Sequence, residues 1–429
     1  MRRLLQAVPA GTLLVGGGLA VLGVASYVHI AVANHSLDAS GQASVSVLWA
    51  LVFALGIGLF WPIEQEVGRL VAARSVHGDG AGPVMRTAGL FTAGLLGLVI
   101  AVLLVAAEPI ADRLFFGDRG MVYALCGAFA GLAAGYLTRG ILSGRGRFGW
   151  YGIQLGVDGG LRIVLAVAFG LAGVRSPVAF ALILAIAPMV SVLLTLPPVI
   201  QELHPGTPAA FSGVSRGIGL LLASSLLSQV IVNIGVINLK LLSPDSEAAV
   251  TAALLSALIL ARVPLFVFAS LQAALLPALS RAVTSGDVHG YRRQLARALG
   301  VVGLLGLAGG IPAVLLGPWL VPPLFGVDDV LDRSDFAWLA FGTLAYMAAI
   351  VVGQAVIARG RHAVQALGWL VGVVVLLAIT FGPGDVRLRV EVAFAVGSLA
   401  VIPVLAPFAW SRRMPAVPAG PEPALAADR

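Results

Sequence analysis

The sequence is poor in charged residues. They make up 11% of its 429 residues, whereas hydrophobic residues make up 59%. Because soluble domains carry about 25% charged residues, this chain has too few of them to cover a surface exposed to water. The composition therefore indicates an integral membrane protein, with lipid around most of its exterior.

Cysteine and lysine are nearly absent as well. Cys126 is the only cysteine, and Lys240 is the only lysine among 27 basic residues. A single cysteine excludes a disulfide framework and a cysteine-based metal site. The formal net charge of +7 taken alone would suit nucleic acid, but the placement of the arginines favours a membrane. The sequence also has no Walker A motif, so nothing indicates that the chain hydrolyses a nucleotide itself. We expect no nucleic-acid partner, no metal and no cofactor.

Twelve apolar runs are long enough to cross a bilayer, which takes about 20 residues. They lie near residues 11–34, 43–63, 85–107, 120–141, 150–173, 177–200, 217–239, 248–276, 298–324, 335–358, 363–382 and 390–410. The first run exceeds the apolar core of a signal peptide, so we interpret it as a transmembrane helix.

The basic residues are distributed unevenly between the two sides of this predicted topology. With both termini inside, 18 of them fall in inner segments and 7 in outer segments. This bias follows the positive-inside rule. It predicts a multi-pass membrane protein with both termini in the cytoplasm.

One stretch matches a nucleotide-binding fingerprint. Gly144, Gly146 and Gly149 fit G-x-G-x-x-G. That motif binds a dinucleotide only where it follows a strand and opens the helix of a βαβ unit. Here an apolar helix is predicted on each side, so we interpret the match as chance and the segment as a tight inner loop.

Loop sequences repeat along the chain. Gly144-Arg145-Gly146-Arg147 returns 214 positions later as Ala358-Arg359-Gly360-Arg361, and Gly78-Asp79 returns as Gly286-Asp287. Similar offsets in the same order predict two six-helix halves, which are parallel because six is even. The predicted domains are a first lobe at 1–200, a cytoplasmic linker at 201–216, a second lobe at 217–410 and a disordered cytoplasmic tail at 411–429.

Three stretches carry a resemblance to a known superfamily. They are RGILSGRGRFGWYG, ARVPLFVFASLQAALLPALSRAVTSGD and PIEQEVGRLVAARSVHG. The chain resembles the multidrug/oligosaccharidyl-lipid/polysaccharide (MOP) flippases, in particular the bacterial polysaccharide branch. The resemblance implies an all-α, V-shaped, MATE-like transporter that moves polyprenyl-linked sugars from the inner to the outer leaflet. The two additional helices usual in lipid II flippases are missing. The first span also lacks the carboxylate typical of the drug-extruding branch.

Two arginines lie deep in the predicted spans, one in each half. Arg162 and Arg262 are candidate substrate-binding residues, because a guanidinium binds phosphate bidentately and stays charged. Asp158 lies four residues before Arg162, on the same helical face. It is our candidate coupling residue, although the two side chains can also form a purely structural pair.

A polar stripe follows the seventh span. Ser225, Gln229 and Asn233 are spaced four residues apart and share one helical face. Such side chains either line a wet cavity, where they suit sugar hydroxyls, or bridge neighbouring helices. We interpret Glu64–Val71 as an amphipathic turn on the inner surface. The outer aspartates, Asp328, Asp329, Asp332 and Asp335, are interpreted as a solvated loop.

The favoured function is a non-enzymatic flippase that works by alternating access in cell-envelope polysaccharide synthesis. Its expected partners are a polyprenyl-(pyro)phosphate-linked saccharide, membrane lipid and glycosyltransferases of the same pathway. The main alternative is a cation-coupled multidrug antiporter of the same superfamily. A membrane glycosyltransferase and a scaffold for a biosynthetic complex are the other two hypotheses.

Overall fold

The computed structural model describes residues 12–242, 257, 263–325 and 331–411, and within these ranges the chain is helical and contains no strand. A five-residue π-helical turn at Val52–Gly56 joins the helix Ala39–Leu51 to the helix Ile57–Ser75. The α-helices, numbered α1 to α14 in chain order, are Thr12–Ser36, Ala39–Leu51, Ile57–Ser75, Gly82–Val105, Ala107–Leu114, Arg119–Gly144, Phe148–Leu171, Pro177–Ile200, Phe211–Leu242, Val263–Thr284, Val288–Phe325, Arg333–Ala358, His362–Thr380 and Val386–Ala409.

Ten of the described helices are long and apolar enough to cross a membrane. The second predicted span is divided between α2 and α3 by the π-helical turn, and the eighth is described only from Val263 onward, as α10. With these two, the helices follow the twelve predicted runs in order. Some helices extend past the apolar run that predicted them: α3 continues to Ser75, and α11 begins at Val288.

Buried apolar side chains form two separate clusters. One joins α1–α8 with the beginning of α9 and with Ala274 of α10, and it includes Phe60, Phe129 and Phe180. The other joins α9–α14 and includes Phe268 and Trp369. Each set of helices therefore has a core of its own, and we call α1–α8 the first lobe and α9–α14 the second lobe. The predicted domain boundaries at 200, 216 and 410 stay a prediction.

The repeated loops have the same backbone turn in both lobes. Gly78 and Gly286 have φ angles of 73° and 70°, and Gly146 and Gly360 have 72° and 70°. Glycine takes this left-handed conformation without the steric penalty of a Cβ atom. Gly146 thus serves a turn between α6 and α7, and no strand precedes it in the described chain. The G-x-G-x-x-G match is accordingly a chance one.

The repeated arginines anchor the end of each lobe. Arg145 forms an ion pair with Glu202, just after α8, with 3.3 Å between Nε and Oε2. Arg359 donates from Nη2 to the carbonyl oxygen of Ser411, just after α14, at 2.8 Å. These contacts hold several loops at one end of the molecule. We call it the arginine-rich end, and it contains the loops at 76–81, 145–147, 201–210, 285–287 and 359–361.

Small residues let α1 and α7 pack closely in the first lobe. A Cβ atom added at Gly152 would lie 2.5 Å from the carbonyl oxygen of Leu14, and one at Gly18 would lie 2.5 Å from the carbonyl oxygen of Gly152. Lipid is as apolar as a leucine side chain, so close packing of small residues is a main source of association between membrane helices.

Gly152→Val should destabilise the first lobe, because its side chain would push α1 away from α7. Overpacking of this kind costs about 1–3 kcal/mol. Gly156→Val is the matched control, because it lies one turn further along α7 with nothing within 4 Å of its added Cβ. Thermal unfolding in detergent should show a lower midpoint for Gly152→Val alone. Equal midpoints for the two variants would show that this contact is not limiting.

Candidate functional site between the lobes

The two lobes meet along α3 and α10. Helix α3 packs against both α9 and α10, and α1 packs against α10. The second span contacts the seventh as the first contacts the eighth, which is the arrangement expected for parallel repeats related by an axis along the membrane normal. Any ligand site between the lobes is therefore bounded by these helices.

Three consecutive polar residues of α3 are buried at this junction. Glu64, Gln65 and Glu66 are 6%, 8% and 1% exposed. The interpretation of Glu64–Val71 as a surface turn was therefore wrong. This segment lies inside a continuous helix, and neighbouring helices of both lobes cover its polar side chains.

Glu64 is neutralised within the first lobe. Its Oε2 lies 3.1 Å from Nε of Arg139, and the Tyr151 hydroxyl donates to Oε1 at 2.7 Å. Arg139 also lies over the ring of Tyr136, 4.4 Å from its centroid. A buried carboxylate needs compensation of this kind, because an unpaired charge in a low-dielectric interior costs several kcal/mol.

Glu66 connects the two lobes. Arg69 donates to both of its carboxylate oxygens at 2.7 and 2.6 Å, and Nε2 of His362 lies 2.9 Å from Oε2. His362 begins α13 of the second lobe. Nearby, a Cβ atom at Gly217 would lie 2.5 Å from Oε1 of Glu66. Helix α9 therefore approaches the same carboxylate where only a glycine fits.

Arg281 forms a second polar contact between the lobes. Its Nη1 donates across the junction to the carbonyl oxygen of Gly144 at 3.2 Å. The side chain is half-buried, and no carboxylate of the described chain forms an ion pair with it. It lies one helical turn beyond Pro277. Arg281 is thus a cation at the arginine-rich end of the junction, and no acid among the described residues compensates its charge.

A small polar pocket of about 20 Å³, which has room for about one water molecule in this closed conformation, lies beside these contacts. Its lining consists of Trp61, Glu64, Gln65, Gly68, Ser143, Gln272, Ala273, Leu276, Pro277 and Gln354. Within the described ranges, the side-chain nitrogen of Gln272 and the side-chain oxygen of Gln354 are buried without a hydrogen-bond partner. Buried amides normally have partners, so these two groups are available to a polar ligand.

The two lobes contribute residues at corresponding repeat positions to the pocket. Glu64 and Gln272 are 208 positions apart, the same offset as Gly78 and Gly286, and both line it. The first lobe thus contributes a compensated acid at the position where the second contributes a neutral amide.

The structure places Arg162 and Asp158 inside the first lobe. Nε and Nη2 of Arg162 lie 2.8 and 3.0 Å from the two oxygens of Asp158, and each side chain is 3% exposed. Neither residue lines the pocket between the lobes. In this conformation they form the structural pair considered in the sequence analysis. Their roles in substrate binding and coupling stay predictions.

Ser225 and Gln229 do not line the pocket either. Ser225 is 5% exposed, and Gln229 is half-buried and engaged in an interaction. Asn233 belongs to α9, but its side chain lies outside the described residues, as does the whole of Arg262. No group of three or more His, Cys, Asp or Glu side chains in the described part of the chain is placed to hold a metal ion.

Sequence reasoning missed Gln65, Gln272 and Arg281. Gln272 had a detectable signal, because it is a lone amide in the apolar eighth run. Arg281 had none, since it looks like any other inner-loop arginine. Its distinction is the absence of an acidic partner at the junction, which depends on how the lobes pack.

Known proteins resemble this chain in sequence and in fold. No protein-family model matches the chain. An uncharacterized protein of Mycobacterium bovis is 27% identical over 402 residues, covering 91% of this chain and 90% of that protein. An uncharacterized protein of Mycobacterium tuberculosis is 29% identical over 398 residues, covering 89% and 88%.

Solved transporter structures share the architecture. A mutant of the MATE transporter VcmN from Vibrio cholerae has a TM-score of 0.76 at 15% identity, covering 94% of this chain and 96% of that chain. A MOP superfamily transporter from Pyrococcus furiosus, described by a reverse polarity of its binding pocket, has a TM-score of 0.71 at 15% identity, with 93% of each chain covered. A multidrug resistance MATE family transporter in an outward-facing conformation has 0.71 at 16%, with the same coverage.

The chain has the fold of the MOP superfamily transporters. This confirms the superfamily resemblance in its fold, together with the all-α, two-lobe, V-shaped architecture. The likeness at this identity concerns the fold, and the cargo has to be argued from this chain's own residues.

His362→Phe should loosen the closure at the arginine-rich end, because it removes the histidine's contact with Glu66. A reporter cysteine at Gln65, in a chain carrying Cys126→Ser, should then react about tenfold faster with a polar maleimide, which corresponds to ~1.4 kcal/mol. His35→Phe is the control, because His35 is exposed and bonds only to Ala31 of its own helix. Unchanged labelling in His362→Phe would contradict a closing role for this contact.

Proposed function

We propose that this protein is a flippase for a polyprenyl-(pyro)phosphate-linked saccharide. It moves this lipid from the inner to the outer leaflet of a bacterial plasma membrane, for cell-envelope polysaccharide synthesis. The MOP fold supports a transporter of this general kind. The work is done by conformational change, so the proposal needs no catalytic residue and no cofactor.

The polarity of the pocket between the lobes is the observation that carries the proposal. Its amides and hydroxyl, at Gln65, Gln272, Gln354 and Ser143, are neutral groups that both donate and accept hydrogen bonds. Sugar hydroxyls require this combination. The one carboxylate in the lining, Glu64, is already neutralised by Arg139.

Arg281 supplies the complementary charge for the headgroup. A phosphate or pyrophosphate next to the saccharide needs a cation that is not already paired. A guanidinium fits phosphate oxygens with two parallel hydrogen bonds. Arg281 lies at the arginine-rich end of the junction and donates only to a backbone carbonyl. A phosphate at this position replaces that weak contact.

The contacts between the lobes indicate how alternating access works. Glu66 with His362, and Arg281 with Gly144, close the arginine-rich end in this conformation. Under the predicted topology that end faces the cytoplasm. Loading from the inner leaflet then requires both contacts to separate. A headgroup that binds Arg281 favours this opening because it competes for the same donor.

Cation-coupled multidrug efflux is the second candidate function. The observation in its favour is the fold shared with a multidrug resistance MATE transporter. A cationic drug needs an uncompensated carboxylate in its site. Glu64 and Glu66, the two acids at the junction, are each paired with an arginine. This compensation favours the saccharide-lipid cargo over the drug.

Arg281→Ala should impair flipping without preventing assembly of the protein. Charge-assisted hydrogen bonds contribute about 1.5–3 kcal/mol, so transport should fall about tenfold or more. The measurement is a leaflet-resolved profile of lipid-linked saccharides in host cells depleted of the protein and complemented with each variant. Complementation with Arg281→Ala should leave one species accumulated in the inner leaflet.

Arg86→Ala is the matched control, because Arg86 is an exposed arginine at the same end of the molecule. It should relieve the accumulation as wild type does. Depletion without accumulation, accompanied by greater sensitivity to cationic drugs, would contradict the flippase and favour efflux. Loss of the protein from the membrane in Arg281→Ala is detected by immunoblot. In that case Gln354→Leu, which removes a pocket amide, takes its place.

A further inference from the structure

A buried pair of carboxyl groups lies in the second lobe, at the end opposite the arginine-rich end. Asp335 begins α12 and is 2% exposed, and Glu391 lies in the second turn of α14 and is 1% exposed. The two side chains are neighbours. The interpretation of Asp335 as part of a solvated loop was therefore wrong. Asp328 and Asp329 from the same interpretation lie outside the described residues.

Glu391 has no donor. Neither of its carboxylate oxygens has a hydrogen-bond partner in the described chain. Its neighbour Asp335 is itself an acceptor, which takes a hydrogen bond from the backbone nitrogen of Asp332 at 2.7 Å. Two carboxylates in contact can form a hydrogen bond only when one of them carries a proton. Two negative charges on neighbouring carboxyl groups would also repel each other, which opposes ionisation of both groups.

The basic residues nearby do not remove the need for one proton in this pair. Arg387 reaches Asp335, with 3.4 Å between Nε and Oδ1, and is 31% exposed. Arg389 points elsewhere and donates to the carbonyl oxygens of Thr380 and Gly382. One arginine thus serves two buried acids. Helix α13, which also packs on α14, carries no ionisable side chain at this end, and the side chain of Lys240 in α9 lies outside the described residues.

Asp332 adds a third negative charge at the entrance to the pair. Hydrogen bonds from the hydroxyl and the backbone of Ser334 lower its pKa below the usual value, so this residue stays ionised. It is exposed and caps α12. Asp332 therefore connects the buried pair to water at this end of the molecule, and its charge favours retention of a proton inside.

The first lobe offers a contrast. Asp158, the residue predicted to couple transport to an ion, is held by two hydrogen bonds from one arginine. Among the buried acids of the described chain, Glu391 is the one that no basic group contacts directly.

We propose that Asp335 and Glu391 form a proton-binding site that couples transport to proton movement. The pair holds one proton between its two carboxyl groups. It takes this proton from water at the arginine-poor end and releases it toward the arginine-rich end after the lobes rearrange. This inference rests on the proposed transport function. The sequence analysis assigned coupling to Asp158 instead, and that assignment stays a prediction.

The same helix connects this site to the pocket between the lobes. Asp335 lies at the beginning of α12, and Gln354 lies near its other end and lines the pocket. Helix α12 also packs against α14, which carries Glu391, and against α10, which carries Gln272 and Arg281. Loss of the shared proton leaves two buried negative charges between α12 and α14. The resulting repulsion acts on the helix that forms one wall of the pocket.

Infrared difference spectroscopy of the purified protein tests whether the proton is shared. Wild type should show the C=O stretch of a protonated carboxyl at neutral pH. This band should disappear in both Glu391→Gln and Asp335→Asn, because each leaves a single acid with a donor beside it. Glu108→Gln, at an exposed ion pair at the same end, should keep the band. Absence of the band from wild type, or its persistence in both variants, would overturn the proposal.

Labelling of the reporter cysteine at Gln65 tests the coupling. Because maleimide reacts with the thiolate, each rate is divided by that of an exposed reference cysteine at the same pH. In the parent protein with Cys126→Ser, this relative rate should change severalfold when the pH is raised far enough to remove the infrared band. In Glu391→Gln the relative rate should stay at its low-pH value throughout. A rate that does not depend on pH in the parent, or that depends on pH equally in Glu391→Gln, would show that the site is structural. Neither readout uses a lipid-linked saccharide, so the coupling site and the flippase proposal fail separately.

Discussion

Compensation of charge inside a lipid-embedded body is the constraint on which the rest of this structure depends. The chain carries few charged residues, and those of the interior are placed in pairs. Glu64 is held by Arg139, Glu66 by Arg69 and His362, and Asp158 by Arg162. A buried charge without a partner costs several kcal/mol, so each pair also fixes how its helices pack. The pairs along α3 therefore set both the shape of the first lobe and its contact with the second.

The spans and the repeat were predictable because they depend on local signals. Hydropathy locates each helix, and the glycines with positive φ at 78, 146, 286 and 360 mark corresponding turns. The pairs within the junction were not predictable, because Glu64 and Arg139 are 75 residues apart and His362 meets Glu66 across the lobes. Helix α3 was misjudged because its polar residues resemble a surface segment when no neighbours are considered. Asp158 with Arg162 was predictable, because a spacing of four places both on one helical face.

The polar groups at the junction have two roles: some hold the lobes together, and others are available to bind a ligand. Glu66 with His362 joins the lobes directly and leaves no unused capacity for a ligand. Gln272, Gln354 and Arg281 have that capacity, since within the described chain the nitrogen of Gln272 and the oxygen of Gln354 lack partners and Arg281 lacks an acid. Neutral amides beside an uncompensated guanidinium match a sugar attached to a phosphate. At the far end of the second lobe the compensation fails at Glu391, where a proton replaces the missing arginine. Arg281 and Glu391, neither of which forms an ion pair within the described chain, are thus the two residues to which we assign a function.

The most direct test of the central claim is a flipping assay with purified protein in proteoliposomes. The probe is a fluorescent polyprenyl-pyrophosphate-linked saccharide, and a membrane-impermeant quencher reports how much of it has reached the outer leaflet. The account predicts that the protein moves this lipid much faster than a fluorescent glycerophospholipid, and that Arg281→Ala removes the difference. Equal rates for the two lipids, or transport of a lipophilic cation in their place, would contradict it.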